Sequence, residues 1–273
     1  MPDSASSCEP HCKPSDFWQY PRPLVEGRLV KRYKRFFADV VSDSGQELTL
    51  HCPNTGSMRE LLAEGARVRY LLASPAELKK RKTPGTLEQI KTTAGHWVGV
   101  NTHRANHIVG HYLHELIKHQ SIETVFTINN PIITSEVSLH SEVSLKKLLG
   151  VDQEAVKSRI DFMLKSADTI ILIEVKSVTY LNPVDQQGYF PDAVSARASR
   201  QIEELLLAQL KPEIQVVVLY LIQHEGITTV QACETIDPQY AYWCGEAKSK
   251  GVQFKQLHTS YTANNVSVYR DLL

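Results

Sequence analysis

The chain has 273 residues, with 30 Lys and Arg against 30 Asp and Glu, 42% hydrophobic residues, and 13 each of Gly and Pro. That composition excludes a disordered, collagen-like or disulfide-scaffold protein, and at about 150 residues per domain the length allows one large domain or two small ones. Zero net charge argues against a polyanionic partner only on average: residues 1–100 hold 15 basic and 11 acidic side chains and residues 101–273 hold 15 and 19, so the front is basic and free to meet phosphates.

The opening MPDSASSCEPHCKPSDF lacks the basic-then-apolar order of a signal peptide, and no apolar run approaches the ~18 residues of a membrane span. A cytoplasmic protein without membrane contact is expected. The five cysteines are scattered with no CxxC, which fits reduced thiols. Cys8, His11 and Cys12 lack the second Cys/His pair that a four-ligand metal site needs. Residues 1–22, rich in Ser and Pro and without periodicity, read as a flexible leader. From Leu24 short strand-like stretches follow: LVEGRLVKRYKRFFADVVS, a turn at Asp43-Ser44-Gly45, ELTLHC, a loop at Pro53–Gly56, and RVRYLLAS from Arg67. They predict a small all-β barrel or sandwich.

Within the first stretch, Arg28, Lys31, Arg32, Tyr33, Lys34 and Arg35 precede Phe36 and Phe37. Cations interleaved with aromatic rings on a strand suit a nucleic-acid strand, because cations follow phosphates and rings stack on bases. The alternative is a barrel core filled by Phe36, Val40 and Tyr33, with solvated charges guarding an edge. Lys79–Lys82 and Pro84-Gly85 interrupt the pattern, which sets the expected boundary at about residues 83–92 and gives domains at 23–85 and 86–273.

Beyond it, a strand near Trp97–Asn101 leads to a helix with Asn101 or Thr102 as N-cap. Ala105, Ile108, Val109, Tyr112, Leu113, Leu116 and Ile117 form its apolar face. His103, His107, His111 and His114 fall opposite that face and point to solvent. Strands at about 158–165, 170–178, 214–222, 227–233 and 251–258, with helices at about 192–210 and 238–250, complete an α/β pattern.

The strongest chemical signal is SRIDFML at 158–164 followed by ILIEVKS at 171–177. Side chains two apart on a strand share a face, so Glu174 and Lys176 project together. A hairpin closed by Ala167-Asp168 pairs residues whose numbers sum to 335, which sets Asp161 opposite Glu174 and Arg159 opposite Lys176. The turn is not Asn-Gly, so a shift of one or two residues stays open. Asp and Glu oxygens suit Mg²⁺, and the lysine can orient water or stabilise charge on a phosphoryl group, the chemistry of phosphodiester hydrolysis. An isolated E-x-K is more often a solvated strand face with a weak ion pair. Here the flanking residues are nearly all apolar, and a strand buried on both faces does not carry charge without a partner or metal.

Asp161, a dozen residues, then Glu174-x-Lys176 resembles the core of the PD-(D/E)xK nuclease superfamily. The strings HCPNTGSM (51–58), VNT (100–102), SEV (141–143), SRIDFML, IEVKSVT (173–179) and QGYFPDAV (187–194) resemble the sugar fermentation stimulation (SfsA) family over about residues 24–258. The resemblance implies an OB-fold-like barrel followed by a PD-(D/E)xK-like mixed sheet with flanking helices, and association with DNA of either strandedness without sequence preference. It implies Asp161 and Glu174 as ligands of Mg²⁺ or Mn²⁺, Lys176 as the catalytic lysine, Glu142 as a supporting acid, and Arg197 and Arg200 as backbone contacts. Where the family usually shows Arg-Gly-x-Lys-His, this chain has Arg197-Ala198-Ser199-Arg200-Gln201, so glutamine replaces the histidine. Two functions follow as expectations: a nonspecific DNA-binding protein with a Mg²⁺-dependent nuclease-like site, or a non-catalytic DNA-binding regulator linked to sugar metabolism.

Overall fold

The computed structural model describes residues 17–54, 56–58, 60–122, 126, 137–150 and 156–269. Cys8, His11, Cys12 and residues 1–16 of the expected leader lie outside them. Phe17–Gln19 does not belong to a leader: it forms β1, the edge of the larger sheet, paired antiparallel with β16 (Asn265–Tyr269). Three residues are too few to carry a readable alternation, which is why the sequence pattern conceals this strand.

The first body is a closed barrel. β2 (Val25–Tyr33), β3 (Phe37–Ser42), β4 (Glu47–His51), β5 (Arg67–Leu72), the short helix α1 (Pro75–Leu78), β6 (Gly85–Lys91) and β7 (Trp97–Gly99) follow in order. The sheet runs β4-β3-β2-β5-β6-β7, and a parallel contact of His51 with Thr86 closes β4 onto β6. Leu29, Val40, Leu50, Val68, Tyr70, Leu87 and Ile90 fill the inside, as alternation on a small barrel demands. The break at Lys79–Lys82 and Pro84 is therefore a connection inside this body. Both β6 and β7 lie beyond the expected boundary and still belong to the barrel sheet. The basic and aromatic run is not one strand either: β2 ends at Tyr33, and Lys34 and Arg35 turn with left-handed φ of 48° and 61°.

The second body is a seven-stranded mixed sheet. α2 (Arg104–Lys118) buries Ala105, Ile108, Val109, Tyr112, Leu113 and Leu116 and leaves His103, His107 and His114 exposed, as the sequence periodicity predicts, whereas His111 and Ile117 are half-buried at the margins between the two faces. Its N-cap is His103 without a side-chain cap, not Asn101 or Thr102. β8 (Ser138–Ser144), α3 (Leu145–Leu149), β9 (Arg159–Lys165), β10 (Ile170–Val178), β11 (Tyr180–Leu181), β12 (Gly188–Phe190), α4 (Ala196–Gln209), β13 (Ile214–Ile222), β14 (Val230–Ala232), α5 (Pro238–Ser249) and β15 (Gln253–Tyr261) complete the chain with β16. The order is β1-β16-β15-β13-β10-β9-β8, and β11, β12 and β14 form a separate small sheet. One face packs on α2 through Phe162, Leu164, Ile173 and Val175. The other meets α4 and α5 through Met163, Leu172, Val218 and Tyr220. β10 and β13 pair in parallel at the centre, and all nine residues of β13 are buried, which explains why apolar residues dominate both strands. The architecture is thus an N-terminal OB-type barrel joined to an α/β domain. Among the described residues no helix is long and apolar enough to cross a membrane.

Candidate functional site

The β9–β10 hairpin has the register read from sequence: Ile170 pairs with Lys165, Leu172 with Met163, and Ile173 with Phe162, each pair summing to 335. The backbone ladder stops at Phe162 and Ile173. One residue further, Asp161 Oδ2 accepts from the Val175 N–H at 2.8 Å and Oδ1 accepts from Asn106 Nδ2 at 2.8 Å. A side chain thus replaces the backbone ladder, and helix α2 fixes the carboxylate from a position 55 residues away in sequence.

Glu174 and Lys176 share a face of β10, and they are only 3% and 5% exposed. Lys176 Nζ donates to Glu174 Oε1 at 2.8 Å and to Gln201 Oε1 at 2.9 Å. Burial raises the Glu174 carboxyl above its ordinary value, Lys176 opposes that shift, and the neighbouring Asp161 charge adds to it. Glu174 Oε2 is buried and has no hydrogen-bond partner among the described residues. Taking a carboxylate from water costs several kcal/mol in real proteins, on the order of what a well-made pair returns. An oxygen left over from such a pair is a place for a ligand.

Both bodies enclose this group. A cleft of about 550 Å³ is lined by Arg35, Asn54, Gly56 and Thr102 on one side and by Asp161, Glu174, Lys176, Tyr180, Tyr189, Asp192, Arg197 and Gln201 on the other. Its walls are joined where Asp192 Oδ2 accepts from the Ser57 N–H at 3.0 Å and from Ser57 Oγ at 3.2 Å. A Cβ on Gly56 would lie 2.5 Å from Asp192 Oδ2, so only glycine lets the two chains approach this closely. Arg32 holds the same loop by donating to the backbone oxygens of Arg35, Asn54 and Gly56 at 2.7–3.2 Å.

The structure therefore divides the expected residues. It brings Asp161, Glu174, Lys176, Arg35 and Arg197 into one cleft. Arg28 donates to the Gly65 carbonyl, Lys31 is 3.8 Å from Asp39, Tyr33 stacks on Phe37 at 5.6 Å, and Arg200 stands 3.6 Å from Glu204. Those four, with Arg32 and Lys34, are not cleft-lining residues. The β8–β9 pairs Ser141 with Phe162 and Val143 with Ile160 leave Glu142 opposite Asp161. Yet Glu142 takes a left-handed φ of 54° and its exposed carboxylate lies 3.6 Å from Arg159 Nε, outside the cleft lining. Arg159 itself turns to the Glu142 carbonyl instead of facing Lys176.

Sequence reasoning takes Asn106 for helix-start chemistry and misses its hydrogen bond to Asp161, a long-range contact with no local signature. It did mark Gln201, the departure from the family run, and that residue is a direct partner of Lys176. Among the described residues no three His, Cys, Asp or Glu side chains cluster as metal ligands. A cation here would have two carboxylates, with water and substrate oxygens completing the shell. That donor set suits Mg²⁺, which keeps several waters and takes one or two carboxylates.

A family model described as the sugar fermentation stimulation protein RE domain matches residues 127–265, and one described as the SfsA N-terminal OB domain matches residues 30–100. The chain is 40% identical over 232 residues to a sugar fermentation stimulation protein homolog of Shewanella loihica, covering 85% of this chain and 88% of the relative. It is 37% identical over 257 residues to the Pseudoalteromonas atlantica homolog, covering 93% and 98%. Among solved structures, Pyrococcus furiosus SfsA in complex with Ca²⁺ superposes with a TM-score of 0.70 at 17% identity, over 93% of this chain and 96% of that one.

Proposed function

Because the chain belongs to the sugar fermentation stimulation protein family, we propose that it binds DNA without sequence preference and that its cleft hydrolyses phosphodiesters with Mg²⁺ or Mn²⁺. The observation that carries this reading is the buried Glu174 Oε2, without a partner among the described residues, beside Asp161 and Lys176 at the base of a cleft rimmed by Arg35 and Arg197. Asp161 and Glu174 would hold the cation. When bound, it would supply Lewis-acid stabilisation of phosphoryl charge and lower the pKa of water. The Pyrococcus furiosus relative was solved with Ca²⁺, another hard cation of oxygen sites, which supports this class of ligand.

The chain's own groups do the rest. Asn106 and the Val175 N–H hold the Asp161 carboxylate in one orientation, with one donor on each oxygen. An ammonium has three N–H donors; Glu174 and Gln201 engage two on Lys176, leaving one for a phosphoryl oxygen or the attacking water. Arg35 and Arg197 balance backbone charge on either side.

A binding-only protein is the competing reading. It is favoured by the absence of a third carboxylate ligand among the described residues. Incubating labelled single- and double-stranded DNA with Mg²⁺ or Mn²⁺ separates the two: the wild type cleaves, and Asp161→Ala and Lys176→Ala do not. No cleavage by wild type, or equal cleavage by both variants, overturns the hydrolytic reading.

A further inference from the structure

We propose that the cleft takes an unpaired strand, its bases stacked on Tyr180 and Tyr189 and its backbone held by Arg35 and Arg197. This inference rests on the nucleic-acid reading and narrows it from DNA of either form to single-stranded segments. Tyr180 and Tyr189 face each other across the β11–β12 pair, half-buried, with ring centroids 6.5 Å apart at 43°, and both line the cleft. Tyr189 donates its hydroxyl to Asp185 Oδ2 at 2.8 Å. Asp185 is fixed in turn by Asn182 Nδ2 at 3.2 Å and by the Gln187 N–H at 2.9 Å. The 182–187 loop thus holds the Tyr189 ring by its polar end.

Depth and width point the same way. Glu174 and Lys176 are 3% and 5% exposed, so a phosphodiester must enter the cleft to meet them. About 550 Å³ accommodates on the order of one or two nucleotides, a drug-sized load. The Ser57–Asp192 contacts tie the two walls together and fix the spacing between them. In a duplex, moreover, base faces are covered by neighbouring pairs, whereas an unpaired strand offers them to an aromatic side chain. Stacking is tolerant of base identity, in keeping with binding that ignores sequence.

The test is fluorescence anisotropy of a short labelled oligonucleotide, single-stranded or annealed as a blunt duplex, in EDTA so that nothing is cleaved. Tyr180→Ala with Tyr189→Ala is expected to lose about tenfold or more in single-strand affinity and less than about twofold in duplex affinity. Tyr180→Phe with Tyr189→Phe keeps the rings and is expected to stay within about threefold of wild type. Unchanged single-strand binding by the alanine pair, equal losses on both substrates, or a wild-type preference for blunt duplex overturns the inference and leaves nucleic-acid binding intact. Wild type that binds neither substrate overturns both. Cross-linking a bromouracil-substituted strand to the unaltered protein needs no variant to fold: adducts at Tyr180 or Tyr189 support the platform, and adducts found only elsewhere contradict it.

Discussion

Glu88 and Glu174 are both buried strand carboxylates in ion pairs, the first joined across the two bodies and the second within the larger sheet, and they differ by one oxygen. In β6, Glu88 has a fully buried side chain, and both its oxygens are satisfied by Asn101 and by the Arg104 guanidinium, with the closest contact at 2.7 Å. Arg104 in turn lies over the rings of Trp18 and Tyr20 at 5.3 and 5.9 Å, so the pair seams the barrel to the larger sheet. In β10, Glu174 and Lys176 are buried to a similar degree, but Glu174 Oε2 has no partner among the described residues and lies at a cleft. Burial raises both carboxyls. A shifted carboxyl therefore does not mark a site by itself; what separates the two is the unfilled acceptor and the open space beside it.

The largest expected contrast is in stability. Arg104→Ala leaves the Glu88 charge buried and short of donors and should cost about 3–5 kcal/mol in denaturant unfolding. Replacing the cleft pair together, Glu174→Gln with Lys176→Met, should change stability by no more than about 1–2 kcal/mol, in either direction, while abolishing cleavage. Equal losses would erase the distinction between seam and cleft.

A second contrast is in pH. His224 bridges to Val98 across the seam, and burial, reinforced by His96, lowers its pKa from 6.5 to about 4. The unfolded chain then binds a proton that the folded one refuses. The stability is present in full above about pH 6.5 and is lost as pH falls towards 4, by about 3 kcal/mol. Melting from pH 7.5 to 4 should show that slope, and His224→Gln should flatten it. For Glu174 the raised pKa acts on the ligand instead: cation affinity should begin to fall, on acidification, at a pH above the ordinary carboxylate range, up to about tenfold per pH unit.

Smaller effects probe the cleft's supports. Asn106→Ala removes one donor to Asp161 and should lower cleavage about tenfold with unchanged DNA affinity, since positioning losses fall on the rate. Arg197→Ala should weaken DNA binding and reduce the salt slope by about one phosphate contact; an unchanged slope would remove Arg197 from the interface.

Much of this was legible in the residues because it is local. The 335 register followed from a two-residue turn between two apolar strands, and the helix α2 face from its spacing. Glu174 and Lys176 stood out as charges in a run too apolar to be a solvated strand. What was not legible depends on distant partners: β1 exists only against β16, Asn106 matters only through Asp161, and Glu88 is an ordinary polar position until Arg104 and Asn101 fold over it. The basic run was legible only in part, for another reason. Charge density predicts attraction to phosphate but not direction, and the turn at Lys34 and Arg35 sends only Arg35 into the cleft while Arg32 turns back to hold the 54–56 loop.

Calorimetric titration of the protein with Mg²⁺ or Ca²⁺ measures the unfilled oxygen most directly. Wild type should take up cation at this site, and Asp161→Asn and Glu174→Gln should lose that binding while remaining folded. Wild type with no bound cation, or variants that bind as wild type does, would contradict the assignment of the cleft as a cation-dependent site.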